Sequence, residues 1–307
     1  MGVVRFSVDA AAAGGRLDAC VARALGCSRA EARRVLARGG VRLDGRSRGP
    51  SDKGELVALG AEVEIPPWLP PEERVPAPEP ELAVEFVASG PGWVAVDKPP
   101  GMPVHPLSVG ERGTALAAVV ARHPEIVGVG EGGLRSGVVH RLDVDTSGVL
   151  LFATAAESWE RIRRGFREHQ MEKVYDAIVL GRLEGSGQLD LELEVAQSRP
   201  ARVRVVAGGR PVSIAWRAVE ELDGATHVEA RPVTGFLHQI RVAFAHLGHP
   251  LAGDARYGGG GGDDPSGAER HLLHASRVSG AGTSAEAPPP ADWNAALARL
   301  RSVGSGS

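Results

Sequence analysis

The stretch Val138-Val139-His140-Arg141-Leu142-Asp143-Val144-Asp145-Thr146-Ser147-Gly148, continued at once by Val149-Leu150-Leu151-Phe152-Ala153, decides how the chain is read. A segment dense in charged and polar groups, with Thr, Ser and Gly to hold an irregular backbone, runs straight into a continuous apolar run of strand length. Such a run is expected to be a buried strand, so Asp143 would stand on a loop fixed to a rigid wall. The same pattern has a plainer reading, in which an Asp before Thr-Ser-Gly closes a turn through its own backbone amides.

Composition sets the limits around that stretch. The 307 residues are 43% hydrophobic, enough for one large domain and one small one. The formal net charge of -3 does not mark the whole molecule as a nucleic-acid binder, so any such affinity must be local. Over residues 15–50, however, nine arginines (16, 23, 29, 33, 34, 38, 42, 46 and 48) face only Asp18, Glu31 and Asp44. The two cysteines, Cys20 and Cys27, lack a metal or redox spacing and read as small apolar residues. No signal-peptide apolar segment and no run of about 18 apolar residues occurs, so a cytoplasmic protein without membrane contact is expected.

Leu17, Cys20, Val21, Ala24 and Leu25 fall on one helical face. Ser28 stands three residues before Glu31, a capping box opening a second helix that ends at Gly39-Gly40. Val41-Arg42-Leu43 and Asp44-Gly45 predict a strand and a tight hairpin turn, and Val63-Glu64-Ile65 a later strand. Seven prolines between positions 66 and 80 predict an extended spacer. Beyond it, residues 83–88 and 93–98 form a hairpin, and Trp159, Ile162 and Phe166 share a helical face. Residues 173–179 and the alternating Leu189, Leu191, Leu193 and Val195 are strands. Many strands with few helices between them predict a mainly antiparallel sheet. The five glycines 258–262 predict a flexible loop, and the tail from Gly280 a poorly ordered segment around one helix near residues 293–300.

The string His140-Arg141-Leu142-Asp143-x-x-Thr146-Ser147-Gly148 resembles, without a gap, the active-site signature of RNA pseudouridine synthases of the large-subunit (RluA) family. Val96-Asp97-Lys98-Pro99-Pro100-Gly101 and Leu273-His274-Ala275 are similar to stretches of the same family. So is the run Thr234-Gly235-Phe236-Leu237-His238-Gln239-Ile240-Arg241-Val242-Ala243 with the later Gly253-Asp254 and Tyr257-Gly258. That run departs from the family pattern twice: Phe236 stands where arginine is usual, and Ala243 where histidine is common. Arg16-Leu17-Asp18, Ser28-Arg29-x-x-Ala32 and the run from Gly39 to Gly45 resemble the small RNA-binding module named after small-subunit ribosomal protein four.

The resemblance implies an α+β protein: a pseudouridine synthase domain with a mostly antiparallel mixed sheet, preceded by a small α/β RNA-binding module. The expected layout is a module at 1–66, a linker at 67–80, a catalytic domain at 81–290, and a short helix with a flexible tail at 291–307. It implies isomerisation of uridines in structured ribosomal or transfer RNA to pseudouridine, by a monomer without cofactor or metal. Asp143 would be the catalytic carboxylate, attacking sugar or base or taking a ribose proton. Arg241 would be its counter-cation and Tyr175 the ring stacked on the target base. Substrate contacts would come from His140, Arg141, Thr146, His238 and Ile240, with Arg141 filling the gap left by a flipped nucleotide. Arg16, Arg29, Arg33, Arg34 and Arg38 would hold RNA on the module; Arg29 with Arg33 and Arg34 with Arg38, four apart on the second helix, can face a phosphate backbone. Two other functions are weighed against this one: an RNA-binding homologue of the same fold with impaired catalysis, and a nucleosidase-like hydrolase that would release free uracil. Metal binding by His238, His246, His249 and Asp254 matches no known ligand spacing.

Overall fold

The computed structural model describes residues 2–198, 200–258 and 264–302. Two compact units divide the chain, Met1–Arg74 and Val75–Ser307.

In the first unit, strand β1 (Val4–Ser7) precedes helices α1 (Leu17–Leu25) and α2 (Arg29–Arg38), followed by β2 (Val41–Leu43), β3 (Arg46–Arg48) and β4 (Glu62–Ile65). The strands form one sheet in the order β1-β4-β2-β3. Of the helical stripe read from the sequence, Leu17, Cys20 and Val21 meet Val35, Leu36, Val41, Leu43, Val63 and Ile65 in a single core with Leu25 packed against it, while Ala24 is exposed. Ser28 Oγ accepts from the Glu31 amide at 3.2 Å and starts α2. Positive φ at both Asp44 and Gly45 gives the primed turn that matches strand twist.

Two expectations are corrected here. The Glu31 carboxylate does not complete the capping box: it accepts from Arg34 at 2.9 Å and from Arg74 at 2.5 Å. The proline-rich stretch is also not a bare spacer, because Trp68 lies buried in the first core and Arg74 ends on Glu31. Strand β1 had no anticipating signal; its four residues carry too short a pattern to separate from coil.

The second unit opens with the hairpin β5 (Glu85–Gly90) and β6 (Trp93–Lys98), then α3 (Ala115–Arg122) and β7 (Ser147–Ala153). Next come α4 (Ala156–Arg167), β8 (Glu172–Leu180), β9 (Ser186–Ser198), β10 (Ala201–Val205), β11 (Arg210–Leu222) and β12 (Ala225–Pro232). The chain finishes with α5 (Gln239–His246), β13 (Leu273–Gly280), β14 (Thr283–Glu286) and α6 (Ala291–Ser302). One sheet runs β10-β9-β11-β12-β8-β13-β7-β6-β5, with β14 added against β13. Its pairings are antiparallel except β13 with β7, so the mixed, mainly antiparallel sheet expected from the sequence is what forms.

All seven residues of β7 are buried, and the alternation of a strand explains how. Leu150 and Phe152 join Val94, Val96, Leu116 and Val119 on one face, while Val149 and Leu151 join Ala95 and Ile162 on the other. Helix α3 covers the first face and α4 the second. A strand covered on both sides must be apolar on both sides, hence the unbroken run of hydrophobic residues.

The carboxy-terminal segment is a correction. Strand β14 and helix α6 are ordered, and Trp293 and Leu300, each 1% exposed, pack on Ile178, Leu222 and Leu272. The helix expected near residues 293–300 is α6, and the order of the segment around it comes from tertiary packing, not from its Gly-, Ala-, Ser- and Pro-rich composition. The glycine loop lies outside the described residues except for Gly258, and the last five residues lie outside them too.

Gly148 closes the loop that carries Asp143. Its φ is 109°, and a Cβ there would run into the carbonyl oxygen and amide nitrogen of Ala275 on β13. The parallel register of His274 with Ser147 and Ala275 with Gly148 therefore depends on a missing side chain. Gly148→Ala should lower unfolding stability by about 2–3 kcal/mol, read from a urea midpoint. Wild-type stability in this variant would show that β7 and β13 do not need the close approach.

Candidate active site

Three separate elements converge on one cavity of about 930 Å³. The loop before β7 supplies Asp143, β8 supplies Tyr175, and α5 supplies Arg241 and Ile240. Arg241 is 7% exposed and fixed on both sides. Its Nε and Nη2 donate to the two oxygens of Asp254, each at 2.8 Å, while Nη1 donates to Asp143 Oδ2 at 3.0 Å. The guanidinium carbon also lies 5.2 Å from the centre of the Tyr257 ring. A fork-shaped cation bonded bidentately to one carboxylate and singly to another is held in one orientation.

Burial on its own would lower the pKa of Arg241, but the hydrogen bonds and charges of Asp254 and Asp143 raise it above its ordinary value. Asp254 shows the complement: burial pushes its pKa up, and Arg241 more than reverses the shift. Asp254 Oδ1 also accepts the amides of Arg256 and Tyr257, at 3.0 and 3.2 Å. The Asp143 side chain keeps 19% exposure, and among the described residues only its Oδ2 carries a protein hydrogen bond. Its second oxygen has no protein donor there.

The remaining expected residues fall into two groups. Arg141 is exposed on the cavity wall, and Tyr175 lines the floor, half-buried. Desolvation, with the charge of Asp143 added, raises the phenol pKa, so Tyr175 stays protonated. His140, Thr146, His238 and Ile240 also line the cavity, yet three of them already have protein hydrogen bonds. His140 Nε2 accepts from the Leu151 amide at 2.9 Å, and its ring lies 4.9 Å from that of Phe166. Desolvation draws its pKa down to about 3, so it stays neutral. The Thr146 hydroxyl and His271 Nε2 share a 2.9 Å bond. His238, at φ 52°, shares a 2.7 Å bond with the Tyr257 hydroxyl and keeps Nε2 3.9 Å from Asp143 Oδ2. Ile240 is 6% exposed and sits in the core with Ala177 and Phe244.

Asp254, Lys98 and Gln239 were not singled out by the sequence as working residues. Lys98, fully buried, donates to the carbonyl oxygens of Pro99, Met102 and Val144 at 2.8–2.9 Å, the last one residue past Asp143. Desolvation lowers its pKa to about 7, against the pull of Asp145, Asp143 and Asp97. Gln239 Oε1 accepts from the Phe236 amide and the Thr234 hydroxyl, each at 2.9 Å, and so shapes the turn into α5. The quoted motifs contained all three, but nothing in the spacing tells that Asp254 meets Arg241.

Phe236 packs with Leu193, Val203, Val212 and Val242, and Ala243 is wholly buried in the core beneath α5. Among the described residues, no His/Cys/Asp/Glu grouping could hold a metal ion, and no helix is long and apolar enough to cross a membrane.

On the first unit the arginines are placed differently from the expectation. Arg16, Arg29 and Arg33 converge on Asp18, at 3.2, 3.0 and 2.7 Å, and Asp18 is fully buried. Burial would raise that carboxyl's pKa, but the three guanidinium groups hold it well below the usual range. Arg34 is paired with Glu31. No ion pair among the described residues involves Arg38, Arg42, Arg46 or Lys53 of this unit.

Comparison with known proteins agrees with this architecture. The RNA pseudouridylate synthase family matches residues 92–246, and the S4 domain matches residues 15–53. An uncharacterized RNA pseudouridine synthase of Chloroflexus aurantiacus is 35% identical, over 93% of this chain and 90% of its own length. A ribosomal large subunit pseudouridine synthase D of Yersinia pestis is 32% identical, over 67% of this chain and 60% of its own. The solved human RNA pseudouridylate synthase domain containing 1 shares the fold, with a TM-score of 0.56 at 22% identity over 68% of this chain and 84% of that one. The chain belongs to the RNA pseudouridylate synthase family, with an S4 domain ahead of the synthase domain. It is an RNA-binding isomerase that turns uridine in RNA into pseudouridine.

Asp254→Asn should remove one of the two carboxylates facing the buried Arg241, and with it the charge of its bidentate partner. A stability loss of about 3 kcal/mol and a fall in turnover of at least tenfold are expected. Denaturant unfolding and single-turnover assays measure the two effects. A variant with unchanged stability would mean that Arg241 is held by something other than Asp254.

Proposed function

We propose that Asp143 is the catalytic carboxylate and acts on a uridine flipped out of structured RNA into the cavity. The observation that carries this reading is the half-engaged carboxylate: Oδ2 is fixed by Arg241 and the other oxygen lacks a protein donor among the described residues. Arg241, itself anchored by Asp254, fixes Oδ2 through a charge-assisted hydrogen bond and leaves one oxygen for substrate.

The reaction breaks the bond from ribose C1′ to uracil N1, turns the base, and joins C1′ to C5. The C5 proton is lost and N1 gains one, so no oxidant, reductant or energy source enters. Tyr175, protonated on the cavity floor, offers the ring on which the uracil stacks. Arg141, exposed beside the cavity, fills the vacated place in the RNA stack. His140, Thr146, His238 and Ile240 shape the pocket, and the first three do so through bonds already made to the protein. The substrate is ribosomal or transfer RNA in the cytoplasm, and the name of the Yersinia pestis relative favours ribosomal RNA. Phe236 fills an apolar hollow and leaves the three central groups in place, which favours an active enzyme over an impaired homologue.

Asp143→Asn removes the charge and keeps the shape. It should abolish tritium release from RNA labelled at uracil C5 while RNA affinity and unfolding midpoint stay near wild type. Turnover by the purified variant at the wild-type rate would refute the assignment, and free uracil among the wild-type products would point to a hydrolase.

The S4 domain supplies affinity through its unpaired charge. Arg42→Gln with Arg46→Gln in the full chain should reduce the log–log salt slope of ribosomal RNA binding by about 1.5 units, at roughly 0.7–0.9 for each phosphate no longer neutralised. Arg29→Gln with Arg33→Gln should mainly cost stability, because buried Asp18 loses two of its three partners. The opposite pattern, a slope that falls only in the second pair, would restore the helix arginines as the groups that hold RNA.

A further inference from the structure

In the second unit, arginines are nearly all engaged. Arg217, Arg231, Arg270, Arg277 and Arg301 pair with acids. Others donate to carbonyl oxygens, as Arg163 does to Val139. Among the described residues, four arginines of this unit show no hydrogen bond, ion pair or ring contact: Arg141, Arg164, Arg167 and Arg210. All four line the cavity that contains Asp143, and all four are exposed.

That coincidence has a cost. Like charges around one opening repel each other, and a cation left without an acid in a chain that carries 38 acids must be held so by its surroundings. Arg164 and Arg167 lie three apart on one face of α4. Arg210 begins β11, opposite Leu193 of β9, on the side of the cavity where Phe236 packs against the same Leu193. Glu160 is the acid on the α4 wall, four residues before Arg164, and makes no ion pair with it among the described residues.

We propose that Arg164 and Arg167 on α4 and Arg210 on β11 form two phosphate-binding rails, one on each side of the cavity. They grip the RNA backbone on the two sides of the nucleotide that enters. The partner is the sugar-phosphate backbone of the substrate RNA, held by charge without base readout. Arg210 then supplies, from a neighbouring strand, a cation on the wall where Phe236 offers none. The assignment rests on the isomerase reading for the identity of the entering nucleotide, but the grip itself is a binding property.

The test uses the full chain and deproteinised ribosomal RNA. The triple variant Arg164→Gln, Arg167→Gln, Arg210→Gln should lower the salt slope of binding by about 2 units and raise KM on the order of tenfold, with kcat at saturating RNA maintained. Lysine at the three positions should restore most of the slope, since a point charge suffices for a phosphate. Arg182→Gln, which removes an exposed charge already paired with Glu184 and Glu221, should change neither. An unchanged slope and KM in the triple variant would overturn the proposal, and so would an equal loss in Arg182→Gln. Binding slopes are read without turnover, so a wild type that released no tritium would refute the isomerase reading and leave the rails to be decided by the slope alone.

Discussion

One guanidinium placed between two carboxylates is the constraint on which the synthase unit is arranged. Arg241 spans Asp254 and Asp143, at 2.8 Å to the first and 3.0 Å to the second, with Arg241 and Asp254 both buried. A buried guanidinium would not be tolerated there without an acid beside it. The two acids play unequal parts. Asp254 is wholly committed, with two bonds to Arg241 and two to backbone amides, while Asp143 keeps an oxygen toward the cavity. A rigid, satisfied pair thus sets the direction of a half-satisfied one.

The rest of the unit serves to hold these groups in register. Lys98 ties the Asp143 loop to the end of β6 through the Val144 carbonyl, and Thr146 ties its far end to His271. Gly148 then lets the chain enter β7 against β13. On the other side, Gln239 shapes the entry to α5, and Tyr257 supports both His238 and Arg241. Bonds of this kind are what fix a functional constellation to a fraction of an ångström. They also explain why residues first read as substrate contacts, Thr146 and His238 above all, have partners within the protein.

Positive charge follows a similar division in both units. Arginines that carry acids build structure: three around Asp18, two around Glu31, and others along the strands. Arginines without acids among the described residues gather on the module at positions 38, 42 and 46, and around the cavity at 141, 164, 167 and 210. A net charge of -3 therefore conceals two local cationic surfaces. Arg16, Arg29 and Arg33 share one buried acid, Asp18, eleven to fifteen positions from two of them, a convergence the sequence did not announce.

By itself the sequence determined the elements whose signal is local: the helical stripe of α1, the cap at Ser28, the Asp44-Gly45 turn, the doubly apolar run of β7 and the alternation in β9. It also marked Asp143 and Arg241, because their motifs are contiguous and matched a family pattern, and Tyr175 as what that resemblance implies. Only the tertiary structure decided that Asp254 anchors Arg241, that Lys98 tethers the catalytic loop, and that Trp293 orders a tail whose composition suggested none. It alone separated free arginines from paired ones and drew Trp68 out of the proline-rich stretch into the first core. The physical reason is common to all of these. Periodicity, capping and turn chemistry act over a few residues and leave their trace in order along the chain. Burial and ion pairing act between residues that only the fold makes neighbours, and nothing in their spacing records which partner each will meet.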